Sequence, residues 1–189
     1  MKKHLIPLSV FVAILCSTNL AALEIGDKVP SFKATDDQGK PWNSESFLGK
    51  KFLLVYFYPA AMTGGCTKQA CSFRDDKAKW KDMDVEIVGI SGDHPDNLAL
   101  FKEAENLNFT LLADPYGKVA KTFGVPVGKG GTIDRFVKGE KFTLNRGVTT
   151  KRWTFILSKA GKVLYANEKV QAAQDSSSAL DFLIKTRKP

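Results

Sequence analysis

Residues 56–74 read YFYPAAMTGGCTKQACSFR, and no other stretch restricts the fold so strongly. They begin inside a continuous apolar run, residues 52–58 (FLLVYFY), which is how a central strand covered on both faces reads. Pro59 stops the run, because it has no N–H to offer a sheet ladder. A turn containing Gly64 and Gly65 follows. Residues 66–81 then place Ala70, Phe73, Ala78 and Trp80 among many charges, which predicts an amphipathic helix. Cys66 and Cys71 therefore stand just past a strand-to-helix junction, with Thr63 three residues before the first of them.

The remaining chain supplies partners for that unit. Residues 85–91 (VEIVGIS) read as a second apolar strand, and Asp93, His94 and Pro95 open a helix over residues 96–105. Residues 110–112 predict a short strand, and residues 116–123 a short helix ending at Gly124. Residues 154–157 and 163–166, separated by Lys159-Ala160-Gly161-Lys162, predict a hairpin. Leu180, Leu183 and Ile184 give helical spacing to residues 176–185. Ahead of the central unit, residues 23–32 suit an edge hairpin or an extended cover, and residues 36–40 (DDQGK) a turn. Strands that alternate with helices and close on a hairpin argue an α/β sandwich with a central mixed β-sheet flanked by helices. Residues 124–151 fit none of this. Their glycines and lysines predict a mobile loop or an added hairpin, and so long a segment in a compact domain is more often functional than idle.

With 189 residues, 43% of them hydrophobic and 25% charged, the chain has the size and apolar content of one domain with a real core. Residues 1–22 stand apart from it. Lys2, Lys3 and His4 precede an apolar run from Leu5 to Leu15, then small residues and Ala21-Ala22, which predicts a secretory signal peptide cleaved after Ala21 or Ala22. The run is far short of the roughly 20 residues of a membrane span. Leu15 ahead of Cys16 puts a bulky side chain where a lipoprotein signal wants a small one. The expected protein is thus an exported domain of residues 23–189, periplasmic or otherwise extracytoplasmic.

Without the leader only Cys66 and Cys71 remain, and two close cysteines in an exported protein imply either a small staple or a working redox pair. Lys2 and Lys3 account for two units of the net charge of +8. Much of the rest lies in residues 124–152, where Lys129, Arg135, Lys138, Lys141, Arg146, Lys151 and Arg152 face only Asp134 and Glu140. Aromatic interleaving is too sparse there for a nucleic-acid partner, so a solvated face is expected.

A thiol reacts as its thiolate, and the start of a helix, with unpaired N–H groups and the positive end of the dipole, favours that form of Cys66. The Thr63 hydroxyl is placed to hydrogen-bond the sulfur and a bound oxygen. Pro59 can wall one side of the pocket, and Gly64 and Gly65 let the backbone approach a small ligand. On an intact helix, residues five apart differ by about 7.5 Å in rise and roughly 140° around the axis. A disulfide needs Cα atoms within roughly 7 Å, so Cys66 and Cys71 can join only if the helix unwinds. A redox cycle, with the helix intact when reduced and opened when oxidised, is one reading. A permanent disulfide holding a loop is another. A metal site lacks nearby histidines.

The segment from Tyr58 to Asp75, with Pro59, Thr63 and Cys66 spaced as P-x-x-x-T-x-x-C, resembles the peroxiredoxins, and within them the peroxiredoxin Q or bacterioferritin comigratory protein subgroup. Further similarity runs through Val88-Gly89-Ile90-Ser91, residues 108–114 (NFTLLAD) and Arg152-x-Thr154-Phe155-Ile156-Leu157. The resemblance implies a thioredoxin-like fold. It also implies a thiol-dependent peroxidase acting on hydrogen peroxide and organic hydroperoxides, needing no metal or organic cofactor. By position, Cys66 matches the peroxidatic cysteine, Cys71 a resolving cysteine in the same helix, and Pro59 and Thr63 the active-site proline and threonine. Arg152 matches the arginine, with Lys151 and Arg146 as alternatives. A thioredoxin-like dithiol reductant and a monomer are also implied. Gly64, Gln69 and the long basic segment of residues 124–151 depart from the subgroup's pattern. The competing functions are an exported thiol-disulfide oxidoreductase, though C-x-x-C is absent, and a non-catalytic binding domain with a structural disulfide.

Overall fold

The computed structural model describes residues 22–187, so the leader read at residues 1–22 lies, but for Ala22, outside the described residues. In chain order the strands and helices begin with β1 (Lys33–Asp36), β2 (Pro41–Asn43), β3 (Phe52–Phe57), α1 (Gly64–Asp75) and α2 (Lys77–Asp82). Next come β4 (Val85–Ser91), α3 (Pro95–Ala104), β5 (Thr110–Ala113) and α4 (Lys118–Thr122). The chain closes with β6 (Val127–Val137), β7 (Glu140–Thr150), β8 (Thr154–Leu157), β9 (Val163–Asn167) and α5 (Asp175–Arg187).

Strand β3 holds the middle of the main sheet, whose order is β2-β1-β5-β4-β3-β8-β9. It runs parallel to β4 and antiparallel to β8, so its backbone groups are paired on both sides. Alternate side chains enter two cores. Leu54, Tyr56 and Tyr58 pack with Phe73, Trp80, Phe101 and Leu183 on the face covered by α1, α2, α3 and α5. Leu53, Val55 and Phe57 pack with Phe32, Val119 and Phe123 on the face covered by α4 and the N-terminal segment. This is why the strand reads as apolar without alternation.

Opposite Tyr56 in the sheet stands Gly89. A Cβ there would lie 2.5 Å from Cζ and Oη of Tyr56. Gly89→Ala is therefore expected to destabilise the protein by about 1–3 kcal/mol through overpacking, measured as a lower urea midpoint with an unchanged slope.

Two expected elements are corrected. The helix read over residues 66–81 is two helices broken at Asp76, whose carboxylate accepts from the Ser176 hydroxyl at 2.9 Å and from Lys79 Nζ at 2.7 Å. The helix read over residues 116–123 spans only Lys118–Thr122, because the Asp114 carboxylate takes the N–H groups of Lys118 and Ala120 at 2.7 and 2.8 Å and sets its start. The first hairpin forms between β1 and β2, around the turn at residues 36–40. Of the two readings of residues 23–32, the extended cover is the one found, bridged to the main sheet side at Lys28 and Lys162.

Of the two readings of residues 124–151, the hairpin is the one found. Strands β6 and β7 pair from Val127 with Thr150 to Val137 with Glu140, across a turn in which Lys138 and Gly139 have positive φ. The hairpin is docked on the domain. Leu144 is buried, Ile133 and Phe142 pack on the first core, and the Gly147 N–H bonds the Gly92 carbonyl at 2.9 Å.

Candidate active site

The loop between β3 and α1 is fixed from two sides before any chemistry is considered. The Ala61 N–H donates to Asp93 Oδ2 at 2.8 Å, and the Ser91 hydroxyl donates to the same oxygen at 2.8 Å. Burial pushes the Asp93 carboxyl up, with those two hydrogen bonds opposing it. From the β6–β7 hairpin, Arg135 Nε donates to the Met62 carbonyl at 2.6 Å. Met62 itself has φ of 57°, a left-handed conformation that a non-glycine residue holds only when its surroundings impose it. Thr63 is the residue before the first turn of α1, and Cys66 is the third residue of the helix.

The Cys66 thiol is 1% exposed and Cys71 is half-buried; both are free. Arg152 Nη2 donates to Cys66 Sγ at 3.3 Å. Of the cations considered from the sequence, this one reaches the sulfur. Lys151 is exposed, and Arg146 Nε donates to Thr149 Oγ1 at 3.0 Å. Gly65 makes the approach possible, since a Cβ there would stand 3.2 Å from Arg152 Nη2. Pro59 is half-buried at the end of β3, beside the base of the β6–β7 hairpin.

The Thr63 hydroxyl corrects an expectation. It donates to the Ala60 carbonyl at 2.9 Å, and no bond from it to the sulfur is formed. With its proton committed there, its lone pairs are left to accept a hydrogen bond from an O–H group.

Behind Arg152 lies a buried relay that the sequence did not disclose. Arg152 Nη1 donates to Gln69 Oε1, Gln69 Nε2 donates to Asp175 Oδ2 at 2.7 Å, and the Thr154 hydroxyl donates to the same oxygen at 2.7 Å. Gln69, Thr154 and Asp175 are all buried. Burial pushes the Asp175 carboxyl up, against the hydrogen bonds from Thr154 and Gln69 and the charge of Arg152. In sequence Gln69 registers only as a departure from the subgroup's pattern, and nothing local singles out Asp175. Their meeting across 106 positions has no local signal.

The second sulfur sits differently. Cys71 Sγ faces Glu105 Oε2 at 3.7 Å, at the end of α3. Burial pushes its thiol up; Arg74 opposes this and Glu105 adds to it. The Tyr56 phenol, pushed well up by burial and by the nearby Cys66 charge, stays neutral beneath both sulfurs. The arrangement thus holds one sulfur beside a guanidinium at a helix start and the other beside a carboxylate, about 1.4 turns further along one unbroken helix.

The chain is similar to known proteins over most of its length. The family model described as "AhpC/TSA family" matches residues 25–166. A putative peroxiredoxin, bcp, of Haemophilus influenzae is 36% identical over 162 residues, covering 85% of this chain and 96% of the relative. A chloroplastic peroxiredoxin Q of Populus jackii is 38% identical over 168 residues, covering 88% of this chain and 71% of the relative. The crystal structure of the peroxidoxin BcpB of Mycobacterium tuberculosis superposes with a TM-score of 0.73 at 32% identity, over 88% of this chain and 99% of that one.

Proposed function

This chain belongs to the AhpC/TSA family and is a peroxiredoxin with the thioredoxin-like fold, a thiol-dependent peroxidase, and from that premise we propose that Cys66 is its peroxidatic sulfur and Cys71 its resolving one. The observation that carries the reading is the Arg152 guanidinium at 3.3 Å from Cys66 Sγ, at the amino end of α1. A fixed cation there stabilises the negative charge that passes from the attacking sulfur onto the peroxide oxygens.

The Cys66 thiolate attacks one oxygen of hydrogen peroxide or an organic hydroperoxide. An S–O bond forms as the O–O bond breaks, and the departing oxygen takes a proton and leaves as water or alcohol. Thr63, whose hydroxyl proton is held by Ala60, accepts the hydrogen bond of the peroxide O–H and orients it. Pro59 contributes a wall that carries no competing N–H.

Cys71 then attacks the sulfenic sulfur, releasing water and leaving a Cys66–Cys71 disulfide. The helix must open for this, and its two ends are unequally held. The first turn carries Gly64 and Gly65, no side-chain cap and no acidic residue. The far end is tied down: Arg74 Nη1 donates to the Glu105 carbonyl at 2.6 Å, and Asn108 Nδ2 to the Arg74 carbonyl at 3.1 Å. Melting therefore starts at the Cys66 end. A thioredoxin-like dithiol reduces the disulfide by thiol exchange. The leader pattern of residues 1–22 supports export, with that reductant outside the cytoplasm, and likeness to the peroxiredoxin Q subgroup supports a monomer.

Intact mass before and after one equivalent of peroxide tests this reading. The reduced wild type is expected to lose two hydrogens, and Cys71→Ser to gain one oxygen that peptide mapping places on Cys66. An unaltered mass, or oxygen on methionine alone, would overturn it.

A further inference from the structure

Cys71, half-buried, faces a carboxylate rather than another sulfur. Its Sγ lies 3.7 Å from Glu105 Oε2, a separation within reach of an S–H donor, and both side chains are half-buried. The Glu105 carboxylate makes no other hydrogen bond among the described residues; the Arg74 guanidinium goes to its backbone carbonyl instead. That backbone bond fixes the end of α3 against the end of α1 and so sets the distance between the carboxylate and the sulfur. The other charged or titratable groups facing this pair are Arg74 and Asp75 on α1 and the Tyr56 phenol on β3. Glu103 and Lys138 lie beyond Glu105 and are paired with each other at 2.9 Å.

We propose that Glu105 is a catalytic residue of the resolving step, the general base that takes the thiol proton of Cys71 as its sulfur attacks oxidised Cys66. The inference rests on the peroxidase reading above. As the S–S bond forms, the S–O bond of Cys66 sulfenic acid breaks and hydroxide leaves. The proton taken by Glu105 passes to that hydroxide, so one water is released and the carboxylate is regenerated. The sulfenic sulfur is reduced, the Cys71 sulfur is oxidised, and no further oxidant or reductant takes part.

Geometry makes Glu105 available when it is needed. Melting begins at the Gly64-Gly65 end of α1, so the Cys66 sulfur travels while Cys71 remains in the tethered half beside its base. A base is required because burial and the Glu105 charge keep the Cys71 thiol protonated near neutral pH.

Two roles for Glu105 make opposite predictions. As a nearby negative charge alone, it suppresses Cys71 thiolate, and its removal should quicken disulfide closure. As the base, its removal should slow closure. Single-turnover reaction with hydrogen peroxide, quenched with acid and read by intact mass, separates oxygen uptake from closure. Glu105→Gln and Glu105→Ala are both expected to close about 10-fold or more slowly at pH 7, in keeping with a positioned general base. The deficit should shrink as pH is raised into the range where a thiol ionises unaided. Closure in either variant at or above the wild-type rate would overturn the inference. Oxygen uptake by Cys66 is read in the same samples. If it is absent from the wild type the peroxidase reading fails, whereas normal uptake with undiminished closure in the variants sinks only the role of Glu105.

Discussion

Arg152→Met is expected to slow oxidation of Cys66 by peroxide by about 10²–10³-fold, the usual cost of removing one preorganised donor from developing negative charge. Methionine keeps much of the side-chain volume and removes the charge, so the loss reports electrostatics rather than a cavity. Arg152→Lys should recover only part of it. The guanidinium donates through separate nitrogens to Cys66 Sγ and Gln69 Oε1, a fork that a point charge cannot reproduce. The second-order rate constant of Cys66 oxidation, from stopped-flow mixing with hydrogen peroxide, checks both variants. A wild-type rate in Arg152→Met would remove the arginine from the chemistry.

Asp175→Ala should be the most damaging change away from the sulfurs. It strips the acceptor from Gln69 Nε2 and from the Thr154 hydroxyl, and both donors are buried. Leaving two buried donors unpaired is expected to cost about 2–5 kcal/mol. Activity should fall as well, since Gln69 no longer holds Arg152 in place. Asp175→Asn keeps an oxygen for both donors and removes only the ionisable group, so it isolates the charge. Because burial raises the Asp175 carboxyl above its unfolded value, there is a pH window in which the native protein keeps a proton that the unfolded chain has released. Through that window, which opens near the ordinary aspartate value of about 3.9, stability falls as pH rises. Asp93 and Asp114, raised by burial in the same way, act in the same direction. Urea unfolding of the wild type and Asp175→Asn from acid to neutral pH should show the variant gaining relative stability as pH climbs, then levelling. A constant difference would mean that Asp175 titrates alike in both states.

These expectations also explain why the two cysteines behave as unlike residues on one helix. Cys66 meets a cation carried by the chain just ahead of β8, and Cys71 meets an anion at the end of α3. Neither neighbour is close in sequence, and exchanging them would favour the wrong sulfur as nucleophile. The β6–β7 hairpin has a comparable part. Read from composition it is a lysine-rich segment; folded, it sends Arg135 to the Met62 carbonyl and so helps hold the loop on which Thr63 stands.

Much of the architecture was open to a reader of the chain alone. The unbroken apolar run of β3, the stop at Pro59 and the helix after it are local consequences of side-chain polarity and backbone chemistry, and they locate Cys66, Thr63 and Pro59 without a structure. Periodicity was weaker where carboxylates intervened: Asp114 sets a helix start by taking its N–H groups, and Asp76, at the break between α1 and α2, bonds Ser176, and no hydrophobic pattern encodes either partner. What the amino-acid order settled by itself was therefore the pair of thiols and the strand-to-helix junction that carries them. What only folding settled was the company each sulfur keeps: the choice of Arg152 over Lys151 and Arg146 and its support by Gln69 and Asp175 for one, Glu105 for the other. The reason is physical, since a hydrogen bond or a charge acts over a few ångströms of space whatever the number of residues between its partners.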